Sequence, residues 1–196
     1  MGNLSFNKIL FALLAVVFVP AISYAHTGLG TLSGFGDGFG HPLLGADHVL
    51  AMVAVGIWAF QSGGKAVWLI PASFVGMMLV GGLLGFSGVK IPFVEHGIFM
   101  SILVFGVLIA AAARFPLALG MIVTGAFALF HGHSHGTEIP ALASGLFYSF
   151  GFILATAALH IVGIAGASAV SSVQPRALVT RFAGAAIAAV GLMFFF

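Results

Sequence analysis

Six long apolar blocks dominate this 196-residue chain, at approximately 42–60, 66–86, 91–113, 116–131, 141–166 and 177–196. Each approaches the roughly 20 residues that a helix needs to cross a bilayer, and a backbone in hydrocarbon must satisfy its own hydrogen bonds, which blocks of this length do as helices. Only 5% of the residues are charged, against roughly 25% in an ordinary soluble domain. The expected fold class is an all-α integral membrane protein, a six-helix transmembrane bundle. The breaks between blocks are short and hold turn formers and charges: Ser62-Gly63-Gly64-Lys65, Ser87-Gly88-Val89-Lys90, Arg114, the segment 131–138, and Ser171 to Arg176. Such tight connections make antiparallel neighbours. Glycines recur inside the blocks, as helices packed closely in lipid require.

The first 25 residues read as a cleavable signal peptide: Lys8 ahead of an apolar run from Ile9 to Val19, then Ser23-Tyr24-Ala25 with small residues at the positions that a signal peptidase reads. Cleavage after Ala25 leaves His26 at the mature N-terminus, outside the cytoplasm, followed by a six-span transmembrane domain over 26–196. With that end periplasmic, Lys65, Arg114, Arg176 and Arg181 fall at cytoplasmic helix ends and only Lys90 falls outside, as the positive-inside rule demands. The expected location is the bacterial inner membrane, multi-pass. A net charge of +2 from six Lys and Arg and four Asp and Glu is too small and scattered to hold nucleic acid.

With no cysteine among the residues, a metal must be held by imidazole, carboxylate, backbone or thioether, and eight histidines outnumber the acids two to one. Placed on the six-span topology, His41, Asp47, His48, Glu95, His96, His131, His133, His135 and Glu138 all fall at the outer end, and only His160 lies toward the inner half. Pro42 and Pro92 suit the first turn of a helix, which puts Asp47-His48 and Glu95-His96 roughly 5 to 9 Å inside the outer surface. Ionisable groups there call for a partner, a cavity or a cation. His41 and His48 are seven apart and can share a helix face. His131, His135 and Glu138 do likewise if their helix continues, although Gly132 and Gly136 equally allow an unwound end.

The motifs His41-Pro42-x4-Asp47-His48 and Phe130-His131-Gly132-x2-His135-Gly136-x-Glu138 resemble the two signatures of the HupE/UreJ family of nickel and cobalt permeases, associated with hydrogenase and urease systems. The resemblance extends over essentially the whole chain, from the leader through the six spans. It implies uptake of a divalent metal from periplasm to cytoplasm, with His41, Asp47, His48, His131, His135 and Glu138 as the functional residues. His26, Glu95, His96 and His133 are weaker candidates, outside the signatures or at a variable position within them.

The donor set suits Ni²⁺, Co²⁺, Zn²⁺ and Cu²⁺ and disfavours Cu⁺ and Mg²⁺; the resemblance puts nickel and cobalt first. The metal is cargo, no cofactor is required, and the chain is not expected to be an enzyme. Paired histidines on spanning helices also suit haem or a di-iron centre, and a metal sensor that binds without transporting is a further alternative. No Walker motif is present, so energy must come from elsewhere. Met52 stands one turn from His48 and reads as core packing rather than a sulfur ligand. The expected partners are the metal ion and the bilayer; a homo-oligomer is compatible with the sequence and not required by it.

Overall fold

The computed structural model describes residues 34–139, 144–171 and 176–196. The expected leader, His26 and the start of the Gly-rich segment lie outside the described residues. Among those described there are seven helices and no strand: α1 (Phe35–Leu44), α2 (Ala46–Ser62), α3 (Ala66–Phe86), α4 (Val94–Ala111), α5 (Leu117–Thr137), α6 (Gly145–Val170) and α7 (Arg176–Met193). Helices α3 to α6 are each long and apolar enough to cross a membrane, α1 and α2 together qualify as a fifth, bent span, and the apolar part of α7, Leu178–Met193, is shorter.

The first expected span departs most from a straight helix. Its two halves meet at 84°, with Gly45 extended between them at φ −86°, ψ 112°. Pro42 lies inside α1, in its last turn rather than at a helix start, where its missing N–H leaves the carbonyl four residues earlier without a helical donor. His41 and His48 therefore do not share one continuous helix face. They flank the break, one at the end of α1 and the other in the first turn of α2. Pro92 likewise precedes α4, which begins at Val94 after Phe93 in the left-handed region.

Helix α2 is the hub, packed against α3, α4 and α6, while α3 pairs with α5, α4 with α7, and α1 with α6. Its buried face carries Met52, Val55 and Trp58 into a core completed by Phe74, Ile102, Phe105 and Ile109. Met52 is fully buried in this cluster, in keeping with core packing. Large apolar side chains also cover the outside, among them Leu83, Phe86, Ile122, Leu146 and Phe182. A water-facing surface tolerates no such coat, whereas lipid does.

The α3–α5 contact explains why α5 runs on to Thr137 instead of ending near His131. A Cβ on Gly132 would lie 1.9 Å from the Met78 carbonyl oxygen, and one on Gly136 would lie 2.2 Å from that of Gly82. These glycines let two backbones touch, and the packed helix carries through the segment that glycines elsewhere would unwind. Charge is segregated along the bundle: Lys65, Arg114 and Arg181 belong to one end, where Arg181 Nε donates to Ala110 O at 2.7 Å. The histidines and acids around the α1–α2 break and the end of α5 occupy the other.

Candidate metal site

At that second end, α1 and α2 bring His41 and His48 against the last turns of α5, and α6 supplies the floor. The Phe152 ring lies 4.6 Å from that of His135, 5.2 Å from His48 and 6.5 Å from His41, centroid to centroid. Three donor atoms form a compact triangle: His41 Nε2 to Glu138 Oε2 is 2.8 Å, His135 Nδ1 to Glu138 Oε2 is 3.1 Å, and His41 Nε2 to His135 Nδ1 is 3.1 Å. Among the described residues these three are the His/Cys/Asp/Glu group able to converge on one ion. The two histidines are half-buried and the Glu138 side chain is 46% exposed, so the triangle is a mouth rather than an interior cavity.

Behind it runs a chain of hydrogen bonds whose direction is set at the inner end. The Thr156 hydroxyl donates to Met78 Sδ at 3.8 Å, so it accepts from His48 Nε2–H at 3.2 Å. His48 Nδ1 then carries the lone pair and accepts from His135 Nε2–H at 3.2 Å. A neutral His135 would then turn its Nδ1 lone pair to the Glu138 carboxylate, so their contact is a hydrogen bond when Nδ1 carries a proton and otherwise a place for a cation. Glu138 itself stays anionic. Partial burial opposes that charge, but hydrogen bonds from His135 and His41, and the positive charge of those imidazoles when protonated, prevail and lower its pKa to about 2.

The remaining expected ligands take other places. Asp47 is half-buried in the first turn of α2, and its Oδ1 accepts from the His48 backbone N–H at 2.8 Å; it is adjacent to the triangle and not a corner of it. His131 is fully buried one turn below His135, its Nε2 at 2.9 Å from Ser101 Oγ, and its ring centroid lies 5.5 Å from that of His48. His133 faces away, its Nε2–H donating to Val89 O at 2.6 Å and pinning the α3–α4 connection to α5. Glu95 and His96 are exposed on α4, where His96 meets Phe93 and Phe195; they are neither inside the bundle nor part of the convergence. Asp37 is exposed in the first turn of α1. Sequence reasoning passed over Ser101, Thr156, Met78 and Phe152, because a lone hydroxyl, thioether or phenyl in an apolar helix has no pattern to mark it. Thr156 offered one faint signal, being four residues before His160 on the same helix.

Two comparisons bear on what this arrangement belongs to. The family profile described as "HupE / UreJ protein" matches residues 14–194. The chain belongs to the HupE/UreJ family. A curated relative, Protein HupE of Rhizobium leguminosarum bv. viciae, is 44% identical over 181 residues, covering 91% of this chain and 92% of its own. No solved structure matches. Both family signatures contribute to the triangle, His41 from the first, His135 and Glu138 from the second.

Proposed function

We propose that this protein takes up a divalent transition metal, Ni²⁺ or Co²⁺, from the periplasm to the cytoplasm through the site at the mouth of the bundle. The observation that carries the reading is the triangle of two imidazole nitrogens and one carboxylate oxygen, with edges of 2.8 to 3.1 Å. Three donors on one face of an ion leave its other coordination positions for water. A site of this kind captures without trapping. Membership of the HupE/UreJ family supports metal transport over the haem, di-iron and sensor alternatives.

In this reading the chain crosses the inner membrane six times, with α1–α2 as a bent first span and α7 as the last, after removal of residues 1–25. The mouth faces the periplasm and Lys65, Arg114 and Arg181 face the cytoplasm, in accord with the positive-inside rule. The membrane potential then favours inward movement of a dication by about 4.6 kcal/mol per 100 mV. Glu138 and Asp47 supply negative charge that attracts the ion, and His48 receives it from His135. Radiolabelled Ni²⁺ and Co²⁺ uptake by cells expressing the intact protein, beside a His135→Ala variant inserted to the same level, tests this. Uptake above background that the variant lacks is the expected result; equal uptake by both would sink the assignment.

A further inference from the structure

The mouth does not account for the imidazole of His160. His160 lies in the middle of α6, 2% exposed, and neither of its ring nitrogens has a hydrogen-bond partner. A neutral imidazole has one N–H and one lone pair, so two polar groups are left unmatched in the interior, each costing about 1–3 kcal/mol. A leucine would fill the same space without that penalty. His131 carries a third unmatched atom nearby, and its chemistry is fixed by Ser101. Because the Ser101 hydroxyl donates to Ile98 O at 2.6 Å, it accepts from His131 Nε2–H. The bare nitrogen of His131 is thus Nδ1, buried, unpartnered and bearing a lone pair.

The surrounding helices relate these atoms to the mouth. Thr156, which holds His48, is four residues from His160 on α6, and Met78, which Thr156 contacts, is four residues from Phe74 on α3. Each step is one turn, about 6 Å, inward. The Phe74 ring meets both imidazoles, with centroids 5.5 Å from His131 and 5.4 Å from His160. Just beneath, α2 crosses α6 so closely that a Cβ on Gly56 would lie 2.2 Å from the His160 carbonyl oxygen, which closes the space on that side.

We propose that His160 and His131 Nδ1 form a second, inner position for a divalent transition metal, one stage below His48, with the Phe74 ring between the mouth and the cytoplasmic half. The proposal rests on the uptake reading for its direction and not for its existence, because binding is measurable without flux. Neutral imidazole nitrogens hold a borderline cation such as Co²⁺ or Ni²⁺ in preference to Mg²⁺ and Ca²⁺, which demand oxygen, and water carried with the ion completes its coordination. Ser101 acts as a positioning residue, keeping the His131 lone pair on Nδ1.

The test is metal stoichiometry in the purified full chain in lipid nanodiscs, read by equilibrium dialysis and by the visible absorption of Co²⁺, alongside uptake in cells. The intact protein is expected to bind two Co²⁺ and the His160→Leu variant one, with the maximal uptake rate reduced about tenfold and the half-saturating concentration little changed. His160→Gln, which retains polarity and bulk, guards against a folding defect and should lose the same equivalent. Ser101→Ala should weaken the inner equivalent by about 10- to 100-fold while sparing the outer one. Two equivalents in the intact protein and both His160 variants, or only one in the intact protein, would overturn the inner site. A protein that binds two Co²⁺, loses one in His160→Leu and yet shows no uptake would retain the inner site and remove the uptake reading instead.

Discussion

Replacing Glu138 by Gln changes the charge of the mouth while preserving its shape. The residue caps the end of α5 with a backbone bond to His135 O, so the substitution leaves the helix in place. What disappears is one negative charge beside the ion. A dication and a carboxylate about 4 Å apart attract by about 2 kcal/mol in water and about 8 kcal/mol under the intermediate screening of a protein surface. With the side chain 46% exposed, the low end governs, and about 2–3 kcal/mol is the reasonable expectation. At about 1.4 kcal/mol per tenfold, capture should weaken by about 30- to 150-fold. The assay is initial-rate uptake of radiolabelled Ni²⁺ over four decades of concentration, with protein level normalised by immunoblot of membranes. Glu138→Gln should raise the half-saturating concentration by that factor and leave the maximal rate within about threefold, because excess metal refills a weakened mouth. A half-saturating concentration within threefold of the intact protein, or a lost maximal rate at unchanged half-saturation, would refute the role of this carboxylate in capture.

Three further outcomes are expected. Reporter fusions at Gly64 and Ala113 should read cytoplasmic and those at Ser87 and Thr137 periplasmic; a cytoplasmic Thr137 would put the mouth on the wrong side. Uptake at subsaturating metal should fall several-fold from about pH 7.5 to 5.5 and recover at high metal, because protons compete with the ion for imidazole lone pairs. The sign excludes Glu138 as the cause: its pKa is depressed to about 2, so its carboxylate persists until the pH falls through that value. A faster initial rate on acidification, in vesicles with the potential clamped, would establish proton-coupled symport instead. Finally, Gly132→Ala should cost about 1–3 kcal/mol by forcing α3 from α5, seen as a lower unfolding temperature in detergent, whereas His133→Ala should cost about 1 kcal/mol and retain uptake.

Helical class, lipid-facing surface and the gathering of acids and histidines at one end followed from the sequence, because apolar block length and loop charge are local properties that a bilayer reads directly. The HupE/UreJ signatures were legible for the same reason, being short patterns within single segments. Which members of those signatures touch was decided by the tertiary structure. An 84° break at Gly45 turns His41 away from the helix of His48, and only the approach of α5 on its glycines returns both to one place. Asp47 stands beside His48 in the sequence, and the start of α2 sets its Oδ1 against the His48 backbone N–H, outside the three-donor triangle. Glu95-His96 repeated the acid–His pattern of Asp47-His48 in sequence. Helix α4 turns that pair outward, because rotation about a helix axis is set by what the helix packs against. His160 shows the converse: one imidazole in an apolar block carries no pattern, and its bare nitrogens acquire meaning from Phe74 and His131, brought beside it by other helices.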